Sequence, residues 1–103
     1  MVSGPEAKYS RKVQDYLQSM GYYVVKYHGD RYSVKGTPDL LCCIEGRFVG
    51  LELKTKGKKA TDLQKVKGED IKRSKGYWFV VENDVSPEQI LHTILAKIYS
   101  KEE

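Results

Sequence analysis

With 103 residues, 40% hydrophobic and 31% charged, the chain is long enough for one modest core and too apolar for a disordered segment. It is too short to carry a recognition module beside a catalytic one, so a single domain over residues 1–103 is expected. No apolar run approaches the roughly 20 residues needed to cross a bilayer, and residues 1–10 lack the apolar stretch of a secretory signal, which excludes a membrane role and points to the cytoplasm.

The first predicted element is a helix over residues 5–20. Ser3 is its expected N-cap, Pro5 lies in its first turn, Glu6 occupies the third position of a capping box, and Gly21 closes it. Tyr9, Val13, Tyr16, Leu17 and Met20 recur at helical spacing along it. Residues 22–28, rich in Tyr and Val, read as a strand, followed by a polar loop over residues 29–36. Pro38 can open a strand but cannot donate to its ladder, and residues 39–44 continue as a buried apolar strand. Cys42 and Cys43 are adjacent and must point to opposite faces of that strand, so neither a disulfide nor a metal pair is expected.

Glu45-Gly46-Arg47 reads as a short turn, and residues 48–54 return as the second arm of a hairpin. After the basic loop Gly57-Lys58-Lys59-Ala60, the capping box Thr61-Asp62-Leu63-Gln64 opens a second helix reaching about Ser74, with Gly76 ending it. Residues 77–81 form a last strand, in which Trp78 is expected to be core. Ser86-Pro87 then starts a third helix with the apolar stripe Ile90, Leu91, Ile94, Leu95 and Ile98. The order α-β-β-β-α-β-α describes an α/β domain with a central sheet flanked by helices.

Charge is unevenly placed. The whole chain carries +4, with a pI near 9.0, while residues 55–75 alone carry an excess of +5. A solvated helix face explains such a run as well as a polyanionic partner does. The sharper signal is Glu52-Leu53-Lys54. Strand alternation puts Glu52 and Lys54 on one face and Val49, Leu51 and Leu53 on the other, and the hairpin brings Asp39 alongside them. Gathering three charges at the edge of a buried sheet costs several kcal/mol unless they are paired or bind a metal. Two hard carboxylates, water and a backbone carbonyl such as that of Leu53 suit Mg2+ or Mn2+. Zinc does not fit, because His28 and His92 are far apart in sequence and no cysteine pair exists. Gly57-Lys58 lacks the flanking residues of a phosphate-binding P-loop.

Gly36-Thr37-Pro38-Asp39, followed thirteen residues later by Glu52-Leu53-Lys54, resembles the PD-(D/E)xK nuclease signature. Together with Glu6, Lys35 and Thr61-Asp62-Leu63-Gln64, the pattern is similar to the VRR-NUC family of stand-alone phage and bacterial nucleases across most of the chain. That resemblance implies a restriction-endonuclease-like core with a mixed sheet, divalent-metal catalysis on structured DNA such as Holliday junctions or flaps, and a homodimer. It implies catalytic roles for Asp39, Glu52 and Lys54. It adds Glu6 as a further acid near the metal and Gln64 as a polar group of the active site, although a capping box accounts for either without catalysis. Lys54 would orient the attacking water and offset charge in the transition state. Lys56, Lys58, Lys59 and Lys65 are candidate phosphate contacts, and Lys35 is either another or a loop solubiliser. Two other readings remain: a non-catalytic DNA-binding module of the same fold, and a sequence-specific restriction enzyme.

Overall fold

The computed structural model describes residues 4–29 and 31–100. Its elements are α1 (Pro5–Ser19), β1 (Tyr23–Lys26), β2 (Leu40–Ile44), β3 (Arg47–Lys54), α2 (Asp62–Arg73), β4 (Tyr77–Glu82) and α3 (Pro87–Ile98). The predicted order α-β-β-β-α-β-α is the observed one. The four strands form one mixed sheet in the order β1-β2-β3-β4, antiparallel across the first two pairs and parallel between β3 and β4. A parallel return requires a crossover, and α2 supplies it.

The sheet is covered unequally. Val13 and Leu17 of α1 and Ile94 of α3 pack with Leu40, Val49 and Leu51 into a core on one face. Its polar tie is the Tyr9 hydroxyl, which donates to the Val85 carbonyl at 2.7 Å and joins α1 to the approach of α3. On the opposite face α2 packs against β4. That contact is unusually close: a Cβ on Gly68, in the middle of α2, would stand 2.2 Å from the Trp78 ring. Trp78 is therefore half-buried under a helix backbone rather than inside the main core.

Several sequence expectations shift. The N-cap of α1 is Gly4, without a side-chain cap, and the expected cap Ser3 lies outside the described residues. The Glu6 carboxylate accepts from the Thr55 hydroxyl, and the capping box expected with Ser3 lies outside the described residues. The first strand is shorter than residues 22–28 because the Tyr22 N–H turns back to the Leu17 carbonyl at 3.1 Å. The hairpin turn has two residues, not three: Glu45 (φ 53°) and Gly46 (φ 77°) both take positive φ, as a tight turn matched to strand twist requires. Arg47 then already belongs to β3. Tyr22 and Tyr99 both donate to the Glu45 carboxylate, at 2.6 and 2.8 Å, fastening the turn to the ends of α1 and α3. These two hydrogen bonds hold the Glu45 carboxyl below its usual range. After α2 the left-handed residue is Lys75 (φ 76°), not Gly76. Cys42 is buried and Cys43 exposed, as their alternation demands. No helix among the described residues is long and apolar enough to cross a membrane.

Helix propensity alone predicts that Gly68→Ala stabilises the protein by up to about 1 kcal/mol. The contact with Trp78 reverses that sign, and a net destabilisation of about 1–3 kcal/mol is expected. Urea unfolding of the two proteins measures it, and a more stable Ala variant contradicts the packing of α2 on β4.

Candidate active site

Asp39 and Glu52 are brought together by register. Leu40 pairs with Leu51, and one step further the same ladder sets Asp39 opposite Glu52. The Asp39 carboxylate is fixed there by the Leu53 N–H, which donates to Oδ2 at 2.7 Å, while its carbonyl accepts from the Tyr27 N–H at 2.9 Å. Both ends of the residue are thus locked to neighbouring strands. Leu53 was expected to contribute a carbonyl; what it contributes to this geometry is its N–H, with its side chain buried in the core.

Alternation along β3 does the rest. Val49, Leu51 and Leu53 enter the core, whereas Gly50, Glu52 and Lys54 face the α2 side. Glu52 is 0% exposed, and among the described residues neither carboxylate oxygen has a hydrogen-bond partner. Its pKa is raised from 4.5 to about 7, chiefly by burial and then by the charge of Asp39; Lys54 and the Trp78 indole N–H act in the opposite direction. The indole helps only by its nearby dipole, since Trp78 Nε1 is itself buried without a partner. Lys54, half-buried, is the remaining charge of the trio, held by its backbone carbonyl, which accepts from the Asn83 N–H at 2.8 Å.

Glu6 lies nearby but apart. It lines a groove of about 370 Å3 with Ser10, Lys26, His28, Asp39 and Leu53. Among the described residues no group of three or more His, Cys, Asp or Glu side chains stands close enough to hold a metal ion, so Glu6 does not join Asp39 and Glu52 in a three-carboxylate cluster. Gln64 completes the capping box that its spacing predicted: its Oε1 accepts from the Thr61 N–H at 2.8 Å, and Thr61 Oγ1 accepts from the Gln64 N–H at 3.1 Å. Its amide nitrogen makes no hydrogen bond among the described residues and is open to another role. Lys35 lines a second, smaller hollow beside Asp39 with Tyr27 and Thr37. Lys56 is committed to Asp84 at 2.8 Å, whereas Lys58, Lys59 and Lys65 line one concavity with Trp78 and make no ion pair among the described residues. The apolar hollow between β4 and α3, lined by Val81, Ile90 and Ile94, holds none of these residues.

Three neighbours were missed by sequence reasoning. Lys26 was read only as a strand residue, and His28 as a strand residue weighed and set aside as a zinc ligand, yet both line the groove beside Asp39. Trp78 was assigned to the core, but the parallel register sets it beside Gly50, on the face that carries Glu52. The signal for Trp78 was a glycine at the centre of an amphipathic helix, which marks a close approach. For the other two, nothing in the sequence reported the groove.

The donor set suits a hard divalent cation. Two carboxylates face each other across a ladder, one of them buried with both oxygens unsatisfied, a state costing several kcal/mol that a cation would relieve. Without metal, Glu52 favours the protonated form in the folded state. Its contribution to stability is then complete below about pH 4.5 and is lost as pH rises through about 7. In chelator, the wild-type protein should lose on the order of 3 kcal/mol more than Glu52→Gln across that interval. Urea titrations from pH 4 to 8 read the difference, and parallel curves for the two proteins overturn the assignment.

No family profile matches the chain, and no curated protein matches it. A solved structure described as a "VRR_NUC domain" has the same fold: the two align with a TM-score of 0.70 over 95% of this chain and 100% of that one, at 23% sequence identity. The mixed four-stranded sheet with its flanking helices is therefore the architecture of a VRR_NUC-like domain, matched along nearly its whole length.

Proposed function

We propose that the chain is a VRR-NUC-type nuclease of the PD-(D/E)xK class, which hydrolyses phosphodiester bonds in DNA with Mg2+ or Mn2+. The observation that carries this reading is the buried Glu52 carboxylate, both oxygens unpartnered, set opposite Asp39 with Lys54 two residues along the same strand. A purely structural carboxylate in that position would weaken the fold, whereas a catalytic one has a reason to be there. The likeness in fold to a VRR_NUC domain supports the same reading.

Asp39 and Glu52 would hold the metal, with water completing the coordination. The metal would supply charge neutralisation at the phosphoryl oxygens and a lowered pKa for the attacking water. The chain's own residues do the remaining work. The Leu53 N–H keeps Asp39 oriented, Trp78 and α2 on the same face of the sheet help keep Glu52 dry, and the Lys54 ammonium positions the water and offsets charge as the phosphorus becomes five-coordinate. Glu6, on the rim of the adjoining groove, and the free amide nitrogen of Gln64 are assigned supporting contacts to water or substrate. Selection by DNA shape rather than by base sequence is part of the same proposal, with branched DNA such as four-way junctions or flaps as the substrate. Two sites on one branched molecule call for a homodimer.

Labelled junctions, flaps and plain duplex incubated with increasing Mg2+ or Mn2+ test this directly. Metal-dependent cutting of the branched forms is expected, with Asp39→Asn and Glu52→Gln each lowering the rate by on the order of a thousandfold while leaving DNA binding intact. A solution mass twice the 11.8 kDa of one chain is expected alongside. Salt-dependent DNA binding without metal binding or cutting supports the non-catalytic alternative, and cleavage at one discrete sequence supports a restriction enzyme.

A further inference from the structure

Beside the site, on the α2 face, lies a concavity of about 510 Å3 between the loop after β3, the helix α2 and the edge strand β4. Its floor is apolar: Trp78, and Val80, which is 41% exposed although it sits in a strand. Its rim is basic, carrying Lys58, Lys59 and Lys65. Two acids, Glu69 and Glu82, also line it, but both are engaged. Glu69 is paired with Lys72 at 3.4 Å, and Glu82 Oε2 accepts from the Gly57 N–H at 3.3 Å. The three rim lysines make no ion pair among the described residues and Lys72 offsets Glu69, so even with the charge of Glu82 counted the concavity is net positive. In register, Val80 is the partner of Glu52, which places the floor next to the proposed reaction centre.

We propose that this concavity receives an unpaired stretch of the DNA strand next to the cut, with a base against Trp78 and Val80 and its flanking phosphates on Lys58, Lys59 and Lys65. The argument is one of matched chemistry. Paired duplex presents phosphate and sugar to a surface and keeps its base faces stacked, so it satisfies the rim and leaves the floor unused. An unpaired nucleotide offers both an apolar base face and an anionic backbone, the combination by which single-strand grooves work. The concavity thereby gives the preference for branched substrates a physical origin: a junction or flap supplies unpaired nucleotides near the cut, and intact duplex does not. The identity of the ligand as DNA rests on the nuclease reading; the amphiphilic shape of the groove does not.

Trp78 is the only tryptophan of the chain, so its fluorescence reports this groove and the adjoining face that carries Glu52. The full-length protein, kept in chelator so that nothing is cut, is titrated with oligothymidylate of about 16 nucleotides and with blunt duplex of the same length. The single strand is expected to quench Trp78 at a concentration at least about tenfold below that at which the duplex does. Replacing Lys58, Lys59 and Lys65 together by Ala should weaken single-strand binding at least about tenfold and reduce its logarithmic salt dependence by about 2, at roughly 0.7 per lost phosphate contact. Equal quenching by duplex, or unchanged binding by the triple variant with its fold intact by circular dichroism, overturns the proposal. Failure here is separable from failure of the nuclease reading. Metal-dependent cutting without single-strand quenching removes the groove alone, and quenching without any cutting removes the nuclease and keeps the groove.

Discussion

A carboxylate with no exposure and no hydrogen-bond partner among the described residues is an unfavourable group, and the strands around Glu52 are arranged so that it is held there. Glu52 sits in the middle strand segment of an otherwise apolar ladder, flanked by Leu51 and Leu53, which point into the core. Burial and the neighbouring Asp39 push its pKa up to about 7, against the pull of Lys54. A fold selected for stability alone would place a leucine or valine at this position. An acid at this position is accounted for by the proposed ligand, since a divalent cation facing two carboxylates would offset the desolvation.

Three local devices deliver that geometry. The two-residue turn at Glu45-Gly46 fixes the register of β2 against β3, and a slip of one residue would turn Glu52 into the core and Leu53 out of it. Tyr22 and Tyr99, just past the C-terminal ends of α1 and α3, hold this turn through Glu45. On the other side, the parallel pairing of β3 with β4 and the close approach of α2 at Gly68 bring Trp78 over the same face. The edge that carries the proposed site is therefore determined by packing well away from it, at the hairpin tip and under the crossover helix. The proposed unpaired-strand groove is a by-product of the same crossover, since the loop between β3 and α2 carries the lysines and β4 supplies the floor.

Much of this was legible in the sequence because it depends on local pattern. Period-two alternation separated Glu52 and Lys54 from Leu51 and Leu53, the spacing of Thr61 and Gln64 announced a capping box, and the stripe from Ile90 to Ile98 announced the last helix. What was not legible depends on distance across the fold. Glu6 matched a capping pattern, but its carboxylate answers to Thr55, 49 residues away in sequence. Lys26 and His28 lie in an ordinary strand and its end, and only the packing of α1 against them makes a groove. The separate fates of the lysines were equally hidden: Lys56 and Lys58 are two residues apart, yet one is tied to Asp84 and the other is free among the described residues. Composition reports how many charges a segment carries, not which of them are already neutralised.

The claim on which everything else rests is that Asp39 and Glu52 together bind a divalent cation. Calorimetric titration of Mn2+ or Mg2+ into the protein at pH 6, in buffers of different ionisation enthalpy, measures both the binding and the protons it displaces. Because Glu52 is largely protonated at that pH in the metal-free state, binding should release close to one proton per site, and Glu52→Gln should abolish both the heat and the release. Absence of binding in the wild-type protein, or binding of undiminished affinity in the Gln variant, would contradict the account.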